Sequence, residues 1–203
     1  MSFSIKSFVQ EFLCEPAESA VGDIDHKHIA HNLPAVSRRN PCSTVIEVIS
    51  LDELQFPALH SGVHYWRQLC GERRFPRRED LRPRGIAGLL CNTELVRVLD
   101  GGSDYEYRIV GDAVACAYGR QLQNHRLSDF EATAPATVRV TRKLFGIVID
   151  NGMPLAVRSK TGHDTPEAKF TEAETVILPL GICDSAVDHV LVFSCYLLDS
   201  AVP

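Results

Sequence analysis

The sequence predicts an α+β domain, in which a five-stranded antiparallel sheet carries its helices on one face, preceded by an N-terminal helical extension. Two segments rich in β-branched and aromatic residues, 92–99 and 104–110, flank an Asp-Gly-Gly turn and predict a hairpin. A long amphipathic pattern over 133–150 then predicts a helical crossover. Three strand-like segments with short connections follow, which favours an antiparallel meander. Strands grouped in this way with separate helices are typical of an α+β domain.

The first 43 residues form the predicted extension. Phe8, Val9, Phe12 and Leu13 fall on one helical stripe, and the polar segment 22–43, which contains two prolines, is typical of a linker. We therefore predict a domain boundary near residue 44, with an extension at 1–43 and one domain at 44–203.

The first helix of the domain is predicted between Pro57 and Gly71. Ser50 and Glu53 match a capping box just upstream, and proline is favoured in the first turn of a helix. The hairpin strands follow at Asn92–Leu99 and Asp104–Val110.

A short helix is expected at 113–118, capped by Asp112 and ended by Gly119. The longer helix should end at Asn151-Gly152. The last three strands are predicted at Leu155–Lys160, Glu174–Leu180 and His189–Leu198.

Composition limits the partners. The 203 residues are 45% hydrophobic and 23% charged, with a formal net charge of −5, so the chain is a globular protein without the basic surface typical of nucleic-acid binding. It has neither an apolar run of roughly 18 residues nor a secretory leader pattern. We expect a cytoplasmic protein that binds neither nucleic acid nor membrane.

Four local motifs carry a family resemblance. They are Tyr65-Trp66, the run Arg73-Arg74-Phe75-Pro76-Arg77-Arg78, the strand end Arg108-Ile109-Val110-Gly111, and Tyr118-Gly119-Arg120-Gln121-Leu122. Together with the element order, they resemble the PAS superfamily, in particular its small stand-alone bacterial proteins. Two departures are Glu72-Arg73, where this branch often has a glycine, and Asn124, where a glycine follows the last motif. Asparagine tolerates left-handed backbone geometry better than most residues, so the second departure is mild.

The resemblance implies a PAS-like fold and a non-enzymatic sensory or interaction module with a small apolar pocket. Such pockets are mostly apolar and contain a few polar groups. A small apolar or anionic ligand is expected, with Arg108 able to pair with an anion or with an internal carboxylate. The proposed lining residues are Tyr107, Cys116, Tyr118, Leu127, Phe145 and Phe193, and the alternative for each of them, which is favoured, is an ordinary place in the core.

The cofactor is left unknown. Flavin photosensors of this superfamily carry a cysteine shortly after the position of Gly119-Arg120, where this chain has Gln121 and Leu122, and the helix at 133–150 lacks the histidine expected of a haem sensor. Flavin and haem are therefore disfavoured. Asp25, His26, His28 and His31 are interpreted as a solvated linker rather than a metal site. Because no motif of an output domain is present, the expected partner is a signalling protein or a second copy in a homodimer.

The alternative is a small enzyme that uses the same cavity, with His125 or Asp129 as acid or base near Arg108. No phosphate loop, nucleophile elbow or zinc-protease motif supports it.

The seven cysteines are never spaced as Cys-x-x-Cys, which argues against a disulfide framework or a zinc ribbon. Cys91, Cys116 and Cys195 lie in apolar patterns and are expected to be buried. Only Cys14 and Cys42, in the extension, are expected to react readily.

Overall fold

The computed structural model describes residues 45–160 and 170–198. The predicted extension at 1–43, with its histidine cluster, Cys14 and Cys42, lies outside these residues, as does the turn segment 163–169. In the described part of the chain, no helix is long and apolar enough to cross a membrane.

The described residues form one antiparallel sheet of six strands with three α-helices. The strands are β1 (Val45–Ile49), β2 (Thr93–Leu99), β3 (Asp104–Val110), β4 (Leu155–Lys160), β5 (Phe170–Leu180) and β6 (His189–Leu198). The helices are α1 (Pro57–Cys70), α2 (Asp112–Tyr118) and α3 (Pro135–Asn151). Across the sheet, the strand order is β1-β4-β5-β6-β2-β3.

The predicted α+β class with an antiparallel sheet is confirmed, but the sheet has six strands rather than five, because β1 precedes the first predicted element. Its five residues pair antiparallel with β4, and Val48 lies opposite Val157. The burial of Val48 and Ile49 stabilises the packing of this short edge strand against the rest of the domain. The β-branched pattern of 45–49 was the available signal, but the sequence interpretation placed only the domain boundary there.

The prediction that helices cover one face is also wrong, because they cover both. Successive side chains of a strand point to opposite faces, and here both faces are apolar. On β5, Val176 and Leu178 pack in the cluster of α1, whereas Ile177 packs in the cluster that contains Phe145 and Val148 of α3.

The helix ends and strand bounds follow the local signals. Helix α1 begins at Pro57 and is followed by Gly71, and α3 is followed by Gly152 in the left-handed region at φ 56°. The predicted bounds of β3, β4 and β6 are confirmed. Trp66 is core, since its buried indole N–H donates a 2.9 Å hydrogen bond to the Pro179 carbonyl.

Two of the three cysteines predicted to be buried are exposed. Cys91 lies near the end of a 3₁₀ segment at 83–92 and Cys116 lies on α2. Their apolar neighbours Leu89 and Val114 are buried, but the two cysteine side chains point outward. Cys195 is buried as predicted.

Candidate ligand-binding cavity

A cavity of about 140 Å³ lies between the sheet and α3. Its lining comes from all six strands, from α2 and α3, and from the segment that joins these two helices. A cavity of this size is comparable to engineered apolar cavities that hold one benzene ring.

Helix α3 forms one wall. Thr137, Val138, Thr141, Leu144 and Phe145 line the cavity, and their spacing of three and four residues puts them on one helical face. The two threonines add hydroxyl groups to an otherwise apolar wall.

The sheet forms the opposite wall, which changes from apolar to polar along the strands. Ile177 and Val192 lie opposite each other on β5 and β6, and the next inward pair is Thr175 and Ser194. The hydroxyl oxygens of Thr175 and Ser194 are 2.9 Å apart. Ser159 of β4 extends this polar side of the wall.

The segment between α2 and α3 closes a third side because two backbone hydrogen bonds hold it against β3. The Tyr107 N–H donates to the His125 carbonyl at 3.0 Å, and the Asn124 N–H donates to the Tyr107 carbonyl at 2.7 Å. Asn124 has a φ of 66°, in agreement with the expected left-handed geometry. The turn brings buried Leu122 and Leu127 into the lining.

Aromatic rings close one end. Tyr118 meets Phe170 edge to face at 5.6 Å, and Tyr196 packs against both rings. Next to them, the Arg120 guanidinium lies 5.5 Å from the centre of the Phe130 ring, and it donates a 3.2 Å hydrogen bond to Thr133 Oγ1.

Glu94 is the functional candidate that sequence reasoning missed. It lies on β2, is 7% exposed and lines the cavity, and burial raises the pKa of its carboxyl to about 7. The alternation of β2 was the available signal, since Glu94 shares a face with Val96 and Val98, and a carboxyl on an apolar face marks a functional candidate.

Four of the seven predicted ligand residues line this cavity: Tyr107, Tyr118, Leu127 and Phe145. Burial raises the pKa of both phenols, so they stay protonated at neutral pH and can donate hydrogen bonds.

The structure places the other three predicted ligand residues elsewhere. Phe193 points to the α1 face, because it follows Val192 by one residue on β6. Cys116 is exposed on α2. Arg108 is 46% exposed and pairs at 2.9 Å with the partly buried carboxylate of Glu106 on the same strand, so its side chain does not reach the cavity.

The residues of the enzyme alternative also lie outside the lining. His125 Nδ1 is 3.5 Å from Asp129 Oδ2, and both side chains are about half exposed. Over residues 45–160 and 170–198, no group of three or more histidine, cysteine, aspartate or glutamate side chains could hold a metal ion.

Comparison with known proteins then gives the family. No curated protein and no solved structure matches the chain. A family model described as "PAS domain" matches residues 54–192. This range contains every cavity-lining residue except Ile46 and Ser194. PAS domains are in general sensory or signalling modules without enzymatic activity. The match extends over more than half of the chain, and the protein therefore belongs to the PAS domain family.

Proposed function

We propose that this protein is a non-enzymatic sensory module that binds a small molecule in the cavity between the sheet and α3. The cavity itself carries the proposal. It is walled by apolar side chains from the sheet and α3, and a few polar groups converge on it, as is usual in small-molecule sites.

Of the residues predicted from the sequence, Tyr107, Tyr118, Leu127 and Phe145 are the proposed ligand contacts. They come from β3, from α2, from the segment after it, and from α3. A ligand that touches all four bridges the sheet to both helices, so its binding would stabilise one arrangement of these elements over others. We propose that the signal then passes to a second copy of the chain or to a signalling partner in the cytoplasm.

Filling the cavity tests this proposal. Thr141→Phe puts a ring into the lining from α3, and Thr171→Phe is the matched change at an exposed β5 position outside the lining. Native mass spectrometry of freshly purified protein should detect a small molecule bound to the wild type and to Thr171→Phe, and much less bound to Thr141→Phe.

Thermal shifts with a library of small molecules provide the second measurement. Ligands should raise the melting temperature of the wild type and of Thr171→Phe but not of Thr141→Phe, because only a ligand that binds the folded state stabilises it. If no molecule is retained and none shifts the wild type, or if Thr141→Phe binds normally, the proposal fails.

A further inference from the structure

Glu94 is a carboxyl group that faces the cavity and has no polar partner in the described part of the chain. It is 7% exposed, and no described side chain or backbone group makes a hydrogen bond or ion pair with it. Buried carboxylates in folded proteins are usually paired, because desolvating an unpaired charge is costly. A buried carboxyl group without a partner is therefore expected to pair with a hydrogen-bond donor or a positive charge on a ligand.

The neighbours of Glu94 do not supply that complement. Val192 and Val110 lie opposite it on β6 and β3, and both are apolar. The ionisable groups close enough to interact electrostatically with Glu94 are the phenols of Tyr107 on β3, Tyr118 on α2 and Tyr196 on β6. Their pKa values are all raised, so they are neutral between about pH 6 and 8 and do not titrate with it.

Arg120 is the cation of the cavity lining, but it does not neutralise Glu94. Its guanidinium is engaged with the Phe130 ring and with the Thr133 hydroxyl. Burial alone accounts for the raised pKa of Glu94, and no nearby positive charge offsets it. A positively charged group on a ligand could therefore pair with the Glu94 carboxylate.

The surrounding rings favour the same kind of ligand. The faces of tyrosine and phenylalanine rings attract organic cations, and Tyr107, Tyr118, Phe130, Phe145 and Phe170 all line this cavity. An anionic ligand would instead face the carboxylate of Glu94 in an apolar site, where repulsion between like charges is strong.

We propose that the ligand of this cavity is a small, mostly apolar amine whose protonated nitrogen pairs with the Glu94 carboxylate while its apolar part packs against α3. This inference rests on the proposed function, since it specifies the ligand of the same cavity. The volume of about 140 Å³ limits the apolar part to about the size of one benzene ring. The anionic ligand expected from the sequence is not part of this proposal, because Arg108 lies on the surface.

Benzylamine and benzyl alcohol are the matched probes, because they differ mainly in the charged head group. Calorimetric titration of the full chain at pH 8 should show benzylamine binding at least about tenfold more tightly than benzyl alcohol, as expected for a charge-assisted contact with a buried carboxylate. Between pH 6 and 8, the affinity for benzylamine should rise about tenfold as Glu94 ionises, and the affinity for benzyl alcohol should not rise.

Glu94→Gln removes the negative charge of the side chain and keeps its size and shape. It should bring the two probes to within about twofold of each other and abolish the pH dependence. Thr141→Phe should block both probes, which would show that they bind in the cavity. Melting curves of each variant, measured alongside, confirm that it is folded.

The possible failures are distinct. Equal affinity for both probes, or benzylamine binding that Glu94→Gln leaves unchanged, overturns the amine inference and leaves the cavity as a ligand site. If neither probe binds the folded wild type, the amine inference is overturned and the result also counts against the ligand cavity.

Discussion

Glu94 makes the stability of the fold depend on pH. Its pKa is about 7 in the folded protein, against an ordinary value of 4.5, so the folded state holds a proton that the unfolded chain releases between these two values. The folded state therefore loses stability as the pH rises from 4.5 to 7, and above that the loss is constant at about 3 kcal/mol as an upper bound.

Glu94→Gln should remove this loss. We expect the variant to gain up to about 3 kcal/mol in free energy of unfolding over the wild type at pH 8, and almost nothing below the ordinary pKa of 4.5. Urea denaturation across this pH range measures the difference, with the same change at exposed Glu72 as control. A gain that does not vary with pH would contradict the titration of Glu94.

Cys183 is the most reactive thiol expected among the described residues. It is exposed, and a 3.1 Å contact with the Ser185 hydroxyl lowers the pKa of its thiol. Burial raises the pKa of Cys70 and Cys195 instead. Because the thiolate is the reacting form, alkylation should modify Cys183 first and the two buried thiols last.

The control for this order is Ser185→Ala, which should slow alkylation of Cys183 a few-fold without changing Cys91 or Cys116. Peptide mapping by mass spectrometry at short labelling times reads all of these sites in one sample. Equal rates at exposed and buried thiols would show that the fold opens faster than the reagent reacts. This expectation replaces the one from the sequence, which placed the reactive thiols only in the extension.

At the scale of elements, α3 depends on the burial of Phe145. This ring is 3% exposed and meets Tyr105 edge to face at 5.0 Å, so it joins the helix to the first hairpin. Phe145→Asp replaces it with a charge that has no partner there, which should cost more than about 4 kcal/mol and unfold the domain.

Arg78→Ala is the matched surface change, since Arg78 is exposed in a 3₁₀ turn. It should alter stability by less than about 0.5 kcal/mol. Thermal melts followed by circular dichroism compare the two variants. If their melting temperatures are similar, α3 is not held to the sheet as described.

Elements with strong local signals were predictable from the sequence. Pro57 and Gly71 indicated the ends of α1, Gly152 indicated the end of α3, and the turn at 100–102 indicated the hairpin, because a local backbone preference acts in any tertiary context. The start of α3 was predicted at 133, two residues before Pro135. Strand β1 was missed because its β-branched pattern is only five residues long and lies at the predicted domain boundary. Its place depends on pairing with β4, which is more than a hundred residues away.

The site was predicted less well than the fold because it depends on strand register. A one-residue difference moves a side chain to the other face, and Phe193 was assigned to the wrong face for this reason. Glu94 was overlooked because a glutamate in a strand usually faces solvent, whereas both faces of β2 are covered here. Leu127 and Phe145 do line the cavity, and both belong to apolar patterns that the sequence shows.

At the scale of the whole molecule, the two edge strands of the sheet are covered to different degrees. The segment after α2 covers the edge of β3, through the hydrogen bonds of Tyr107 with residues 124 and 125 and the bridge from Glu106 to Arg126. In the described part of the chain, no strand pairs with the outer edge of β1, and Val45 at its start is 62% exposed. Exposed edges of this kind favour pairing with another segment or another chain.

The predicted extension at 1–43, which lies outside the described residues, precedes β1 in the sequence, and we propose that it mediates a homodimer. The helix that the sequence predicts there, with Phe8, Phe12 and Leu13 on one stripe, would be too short to be stable alone in water, so we expect it to dock. A symmetric dimer is the commonest oligomer of soluble proteins, and crossing to a second copy would bury the stripe from both chains.

Light scattering on the full chain and on a variant that starts at residue 44 tests this role. The full chain should be a dimer and the shortened chain a monomer, and Phe12→Ser in the full chain should weaken the dimer, since it removes apolar surface from the stripe. The control is Thr171→Phe, which changes an exposed position of β5 and should leave the dimer intact. A monomeric full chain would mean that the stripe docks on its own domain, and a dimer that survives the shortening would place the interface on the folded domain.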